Sequence, residues 1–161
     1  MKPVPTPGPT SDGAAAGAGT PQDSTARVVL QKGRARPLWF GHPWVYANGV
    51  ERVEGSAQPG DVVSLVDHDG RFIGRGFYNP RSQISIRLVT RLDEPVDAGF
   101  FRKRIAAAKR LRTRVGLPSS RTNAYRLVNS EGDELPGLVV DVYADAAVIQ
   151  VSTLGMAARR V

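Results

Sequence analysis

Three carboxylates crowd one short glycine-containing loop, Glu131, Asp133 and Glu134, and Asp141 follows in the next apolar run. Carboxylates gathered this way could hold a hard cation and activate water, the chemistry of a metal-dependent hydrolase. The loop lacks the twelve-residue calcium pattern, whose alternate oxygen ligands end in a distant glutamate, and a solvated turn is the plainer reading. The two histidines, His42 and His68, stand far apart with no partners at metal-ligand spacing. One precedes a proline and the other sits at a hairpin tip. Cysteine is absent, which removes thiolate nucleophiles, disulfides and Cys-zinc sites. No phosphate loop, dinucleotide fingerprint or serine elbow occurs, and Gly74-Arg75-Gly76 does not open a helix. No catalytic constellation results, and no cofactor or metal is expected to bind.

Binding chemistry is better represented. Lys32, Arg34 and Arg36 form a basic run, and Arg71, Arg75, Tyr78, Asn79, Arg81 and Arg87 follow along a series of short strands. Arginine and lysine neutralise phosphates, while tyrosine and tryptophan rings and arginine planes stack on unpaired bases. His42 and Trp44 stand among these residues. Trp44 and Tyr46 serve either as core anchors or as exposed stacking surfaces, and packing is the commoner use of a large aromatic. The whole chain agrees with this chemistry. Its 161 residues carry 22 Lys+Arg against 15 Asp+Glu, a formal net charge of +7 and a pI near 10.4, which favours a polyanionic partner.

The elements that must carry these residues fall into three stretches. Residues 1–25, rich in Pro, Gly, Ala, Thr and Ser, cannot bury enough apolar surface to offset ordering and are expected to be disordered. Over 26–94 the spacing predicts a small β-barrel, ordered from about Arg27. Its expected strands are Val28–Leu30, Val62–Val66, Arg71–Tyr78 and the alternating Gln83–Thr90, with a hairpin at Asp67–Gly70. Pro43 suits the first turn of a short helix. Gly74 and Gly76 permit a bend or bulge.

Over 95–161 a helix capped by Asp97 is expected to run to about Val115, stopped by Gly116. Phe101, Ile105, Ala108, Leu111 and Val115 give its apolar stripe. Seven cations, Arg102, Lys103, Arg104, Lys109, Arg110, Arg112 and Arg114, fill the rest with no acid among them. Strands are expected at Tyr125–Val128, Leu138–Val142 and Ala147–Val151. The middle one is apolar on both faces and needs cover that this stretch does not supply. The fold class is therefore mixed β and α/β, a small barrel followed by an incomplete α/β domain of helix plus hairpin sheet.

No apolar run approaches the roughly 20 residues of a membrane span, and the N-terminus lacks a hydrophobic signal core. A cytoplasmic location without membrane association is expected.

Four segments stand in a familiar order and spacing: Gly41-His-Pro-Trp-Val-Tyr46, Gly74-Arg-Gly-Phe-Tyr-Asn-Pro80, Ser82-Gln-Ile84, and Tyr125-Arg-Leu-Val-Asn-Ser-Glu-Gly-Asp-Glu-Leu-Pro-Gly-Leu-Val-Val-Asp141. From about Arg27 onward the chain resembles the front part of the RlmI-like S-adenosylmethionine-dependent methyltransferases, which make 5-methylcytosine in large-subunit ribosomal RNA. The resemblance implies a PUA-like RNA-binding barrel over 26–94 and part of a connecting α/β domain over 95–161. It also implies that the methyltransferase domain lies further on, that any homodimer forms through that missing portion, and that S-adenosylmethionine belongs to the longer protein. Cytosine C5 methylation of this kind needs a thiolate to add at C6, which this chain lacks, so the chain alone is expected to be inactive. Two rivals stand beside this reading, a free-standing RNA-binding module and the metal-dependent hydrolase on the acidic loop.

Overall fold

The computed structural model describes residues 23–159, so the expected disordered tail lies outside the described residues as far as residue 22. The remainder of that tail opens the first strand, β1, which runs Asp23–Leu30 and so begins before Arg27. β2 (Trp44–Tyr46), β3 (Val50–Glu54), β4 (Val62–Val66), β5 (Phe72–Tyr78) and β6 (Ile84–Thr90) join it in one curled sheet, a half-barrel in the order β2-β6-β5-β4-β1-β3. Its pairs are antiparallel except β1–β4.

The β4–β5 hairpin forms as its turn chemistry requires. Gly70 takes φ +81°, and the buried Asp67 carboxylate accepts from the Asp69 and Arg71 amides at 3.0 and 2.8 Å.

Two expectations are corrected here. The short helix, α1, is Arg36–Trp39, with Pro37 in its first turn and Gly41 at φ +97° just beyond it. The residues after Pro43 form strand β2 instead. The Pro43 carbonyl already accepts from Leu88 N–H at 2.7 Å, so the chain is extended along β6 where a helix would have coiled away. β3 escapes a periodicity reading because it is an edge strand with Glu51, Arg52 and Val53 all exposed.

Both faces of the sheet are used. One face gathers Val28, Leu30, Leu38, Val45, Val63, Leu65, Ile73, Ile86 and Leu88 into the half-barrel core. Their sequence neighbours Val62, Phe77 and Val89 point the other way, into a second core with Val96, Phe100, Ala108, Val128, Leu135, Val140 and Met156. That second core seats the remaining elements: α2 (Ala98–Arg114), a three-stranded antiparallel sheet of β7 (Ala124–Asn129), β8 (Leu138–Tyr143) and β9 (Ala146–Val151), and the short α3 (Leu154–Ala157). In α3, Gly155 lies flat against the Phe77 ring, and the Arg159 guanidinium sits 4.9 Å from that ring's centre.

The α2 boundaries follow the expected cap, with Asp97 accepting from Phe100 N–H at 2.9 Å. Its packing face differs from the expected stripe. Phe100 and Ala108 are buried, whereas Ile105, Leu111 and Val115 are exposed. The reason is electrostatic: Arg104 and Arg112, on the Phe100–Ala108 side, reach acids of the β7–β8 connection. β9 exposes five of its six residues, Val148 and Ile149 included, whereas on the middle strand β8, expected to want cover, Val140 is buried and Leu138, Val139 and Val142 are half-buried.

Gly76 lets β5 and β6 approach at a register shift. A Cβ there would lie 2.6 Å from the Arg87 carbonyl oxygen and 2.7 Å from the Ile86 side chain. Since β5 delivers Ile73 to one core and Phe77 to the other, Gly76→Ala is expected to destabilise the chain by about 1–3 kcal/mol, read as a lower urea midpoint. An unchanged midpoint would show that the strands can separate freely.

Candidate nucleic-acid interface

The sequence-selected cations divide into two groups in space. Arg87, on β6, lies in register with Trp44 on β2. Its guanidinium sits 5.2 Å from the Trp44 ring centre and donates to Glu131 at 2.6 Å. The Trp44 indole N–H donates to the same Glu131 oxygen at 3.1 Å. The other oxygen accepts from the Ser130 hydroxyl at 2.5 Å. Burial alone would raise the Glu131 pKa. The hydrogen bonds from Ser130, its own backbone and Trp44, with the Arg87 charge, outweigh that and hold it below the ordinary glutamate value. Arg75 is likewise engaged, donating to the Glu94 carbonyl at 2.9 Å. Tyr78 packs against the half-barrel core, and the Asn79 side chain accepts from the Arg81 amide at 3.1 Å within its own turn.

Every member of the acidic set is matched by an arginine. Besides Glu131–Arg87, Arg112 grips Asp133 with two bonds of 2.5 and 2.7 Å, Arg104 pairs with Glu134, and Arg126 grips Asp141 at 2.9 and 3.1 Å. Arg126 pulls the Asp141 pKa down. Among the described residues no group of three or more His, Cys, Asp or Glu is placed to hold a metal ion. The hydrolase reading has its carboxylates committed elsewhere, each to a cation on a neighbouring element.

The second group faces solvent. Lys32, Arg34, Arg36, Arg71 and Arg81 are exposed, as are Arg102, Lys103, Lys109, Arg110 and Arg114 on α2. Three exposed aromatics, Trp39, Phe40 and Tyr46, follow the first three along the α1–β2 stretch of the chain. The Arg36 guanidinium lies 5.8 Å from the Phe40 ring centre. His42 bridges Trp44 and Tyr46, its ring centre 5.7 and 6.4 Å from theirs. Half-buried Trp44 is thus anchored, and Tyr46 is the exposed ring of the pair. Arg71 sits apart, in the β4–β5 turn that also carries His68, which contacts Glu51 at 2.9 Å.

Sequence reasoning passed over Asn48, Gln83 and Arg91. Arg91 braces the α1 loop, donating to the Leu38 carbonyl at 2.6 Å. Asn48 and Gln83 stand in separate turns, and only the β2–β6 pairing brings them together, so no local signal marks them.

Residues 28–91 match the PUA-like domain family. The chain is 42% identical over 132 residues to "Ribosomal RNA large subunit methyltransferase I" of Alteromonas mediterranea, a match covering 81% of this chain and 33% of that protein. The Shewanella denitrificans protein of the same name is 43% identical over 131 residues, covering 80% of this chain and 33% of the relative. This chain therefore spans about a third of the length of these relatives. A solved structure from Streptococcus mutans, assigned as a SAM-dependent methyltransferase, superposes with a TM-score of 0.67 at 19% identity, over 82% of this chain and 36% of that one. A second solved structure, assigned as a methyltransferase and complexed with SAH, gives the same TM-score, identity and coverage. These two share the fold.

The Glu131 geometry makes a pH-dependent prediction. A carboxyl whose pKa is lower folded than unfolded contributes fully above its unfolded value, about 4.3, and loses that contribution as pH falls through the folded one. Glu131→Gln is expected to lower stability by about 1 kcal/mol at pH 7, a figure kept small by partial solvent exposure. The gap should narrow as the pH falls below that unfolded value and close once it has passed through the lower, folded one. Thermal melts of both proteins between pH 3 and 7 test this, and a gap constant across that range would deny Glu131 the role. Asp97 and Asp141, also lowered, titrate in both proteins and cancel in the comparison.

Proposed function

We propose that this chain, kin over four fifths of its length to the ribosomal RNA large subunit methyltransferases I, binds large-subunit ribosomal RNA in the cytoplasm. There it would position a cytosine for methylation at C5 by a domain outside this sequence. The observation that carries the reading is the exposed basic run Lys32, Arg34 and Arg36, with Arg36 against the Phe40 ring and Arg34 sharing a recess with exposed Tyr46, on a PUA-like half-barrel. Phosphates are met by the cations, and unpaired bases by the rings.

S-Adenosylmethionine, implied by the relatives, would supply the methyl group. The described residues do not fit it. Its usual seat follows a parallel strand through a glycine-rich turn into a helix N-terminus. Here the one parallel pair, β1–β4, is separated by α1, β2 and β3, and α2 is entered through Asp93-Glu94-Pro95. Methyl transfer is accordingly assigned to the longer protein. Among the described residues no helix is long and apolar enough to cross a membrane.

Contact with about 4–6 phosphates predicts a slope of roughly −3 to −4 for log affinity against log salt. Lys32→Ala and Arg34→Ala should each lower the magnitude of that slope by about 1 and weaken binding evenly across RNA sequences. Arg87→Ala, which breaks the Glu131 contact, should lower stability instead. A flat salt response of the unaltered chain in filter-binding or anisotropy titrations would overturn the proposal.

A further inference from the structure

We propose that the recess bounded by Arg34, Tyr46, Ala47, Asn48 and Gln83 takes a single unpaired nucleobase of the bound RNA. This rests on the RNA-binding reading above and assigns it a substrate class, looped or single-stranded RNA in preference to duplex.

The recess measures about 430 Å³, within the range of roughly 300–1,000 Å³ found for small-ligand sites. Its walls are held by backbone. Tyr46 ends β2 opposite Ile84 on β6, a short 3₁₀ turn follows over Ala47–Gly49, and Ala47 N–H donates to the Gln83 carbonyl at 2.8 Å. On the other side Gln31 N–H donates to the Gly49 carbonyl at 2.9 Å, drawing the Arg34 segment against the same turn.

The lining has the parts a base requires. Tyr46 is 46% exposed and offers a flat face, with His42 behind it. Asn48 and Gln83 each present an amide donor beside an acceptor, the pattern that reads a Watson–Crick edge. Arg34 supplies a cation for the attached phosphate. Among the described residues, the side chains of Arg34, Asn48 and Gln83 and the Tyr46 hydroxyl have no protein hydrogen-bond partner.

Two other clefts differ on this point. One is lined by Arg104, Glu131 and Glu134, and the second by Arg87 and Thr153, side chains already bonded within the protein. A duplex keeps its base edges stacked and paired, and A-form RNA is met mainly through backbone and 2′-hydroxyls. A concave, amide-lined recess beside a free ring suits a base that has left the stack.

The test uses the full 161-residue chain and two RNAs of equal length, a hairpin with one 2-aminopurine in its loop and a fully paired duplex carrying the same label. The hairpin should bind more tightly, with quenching of the loop fluorophore. Tyr46→Ala should weaken hairpin binding about tenfold and leave the duplex unchanged, in line with stacking on one aromatic. Tyr46→Phe should bind as the parent does. The double variant Asn48→Ala, Gln83→Ala should erase any preference among the four bases at the loop position. Thermal melts of each variant, expected to match the parent because these side chains are exposed, keep a folding defect apart from a binding one.

Equal affinity for hairpin and duplex, or a Tyr46→Ala chain that binds the hairpin undiminished with the salt slope intact, would overturn the base recess and leave RNA binding standing. Failure of the unaltered chain to bind either RNA at low salt would instead defeat the reading on which the recess rests.

Discussion

One carboxylate joins the half-barrel to the elements that follow it. Glu131 leaves the β7–β8 connection and meets, on the sheet, both the Arg87 guanidinium and the Trp44 indole N–H. Two side chains that sequence alone offered as nucleic-acid contacts are thereby turned to internal use. A buried or half-buried charge without a partner is expensive, so arginine, tryptophan and glutamate each limit where the other two can go. The Ser130 hydroxyl completes the set from the carboxylate's far side.

Around this contact the fold has an economical plan. Strands β4, β5 and β6 send alternate side chains to opposite faces, so Val63, Ile73 and Ile86 fill one core while Val62, Phe77 and Val89 fill the next. A sheet buried on both faces needs a layer on each side. The curl of the sheet with α1 provides one layer, and α2 with the β7–β9 sheet provides the other. Arg104 and Arg112 then fasten α2 to the acidic connection, which explains why that helix turns charged residues inward and leaves Leu111 and Val115 in water.

Much of this was legible in the residues. The Asp97 cap, the Asp67–Gly70 hairpin, the alternation of β6 and the β7–β8 pair are local signals, and each appears at or near its expected place. The paired glycines of β5 also do what the sequence implied, bringing β6 close at a shifted register. What could not be read is long-range. The seven cations of α2, with no acid among them, look solvated until Asp133 and Glu134 arrive from beyond the following loop. Arg87 looks like a surface group, and the partner that anchors Trp44 stays hidden, until Glu131 reaches them. The edge strand β3 was hidden by its own charges, because a strand with little burial leaves no apolar alternation to detect. For the site, charge identified the candidate arginines, but which of them remain free depends on contacts between elements distant in sequence.

The Glu131 contact also has a geometric consequence. The half-barrel is joined to the β7–β8 connection by Arg87–Glu131 and α2 to the same connection by Arg112–Asp133, which together with the shared core sets the separation between the solvent-facing cations near α1 and those along the outer side of α2. A polyanion touching both groups would have to present its charges at the interval this packing sets.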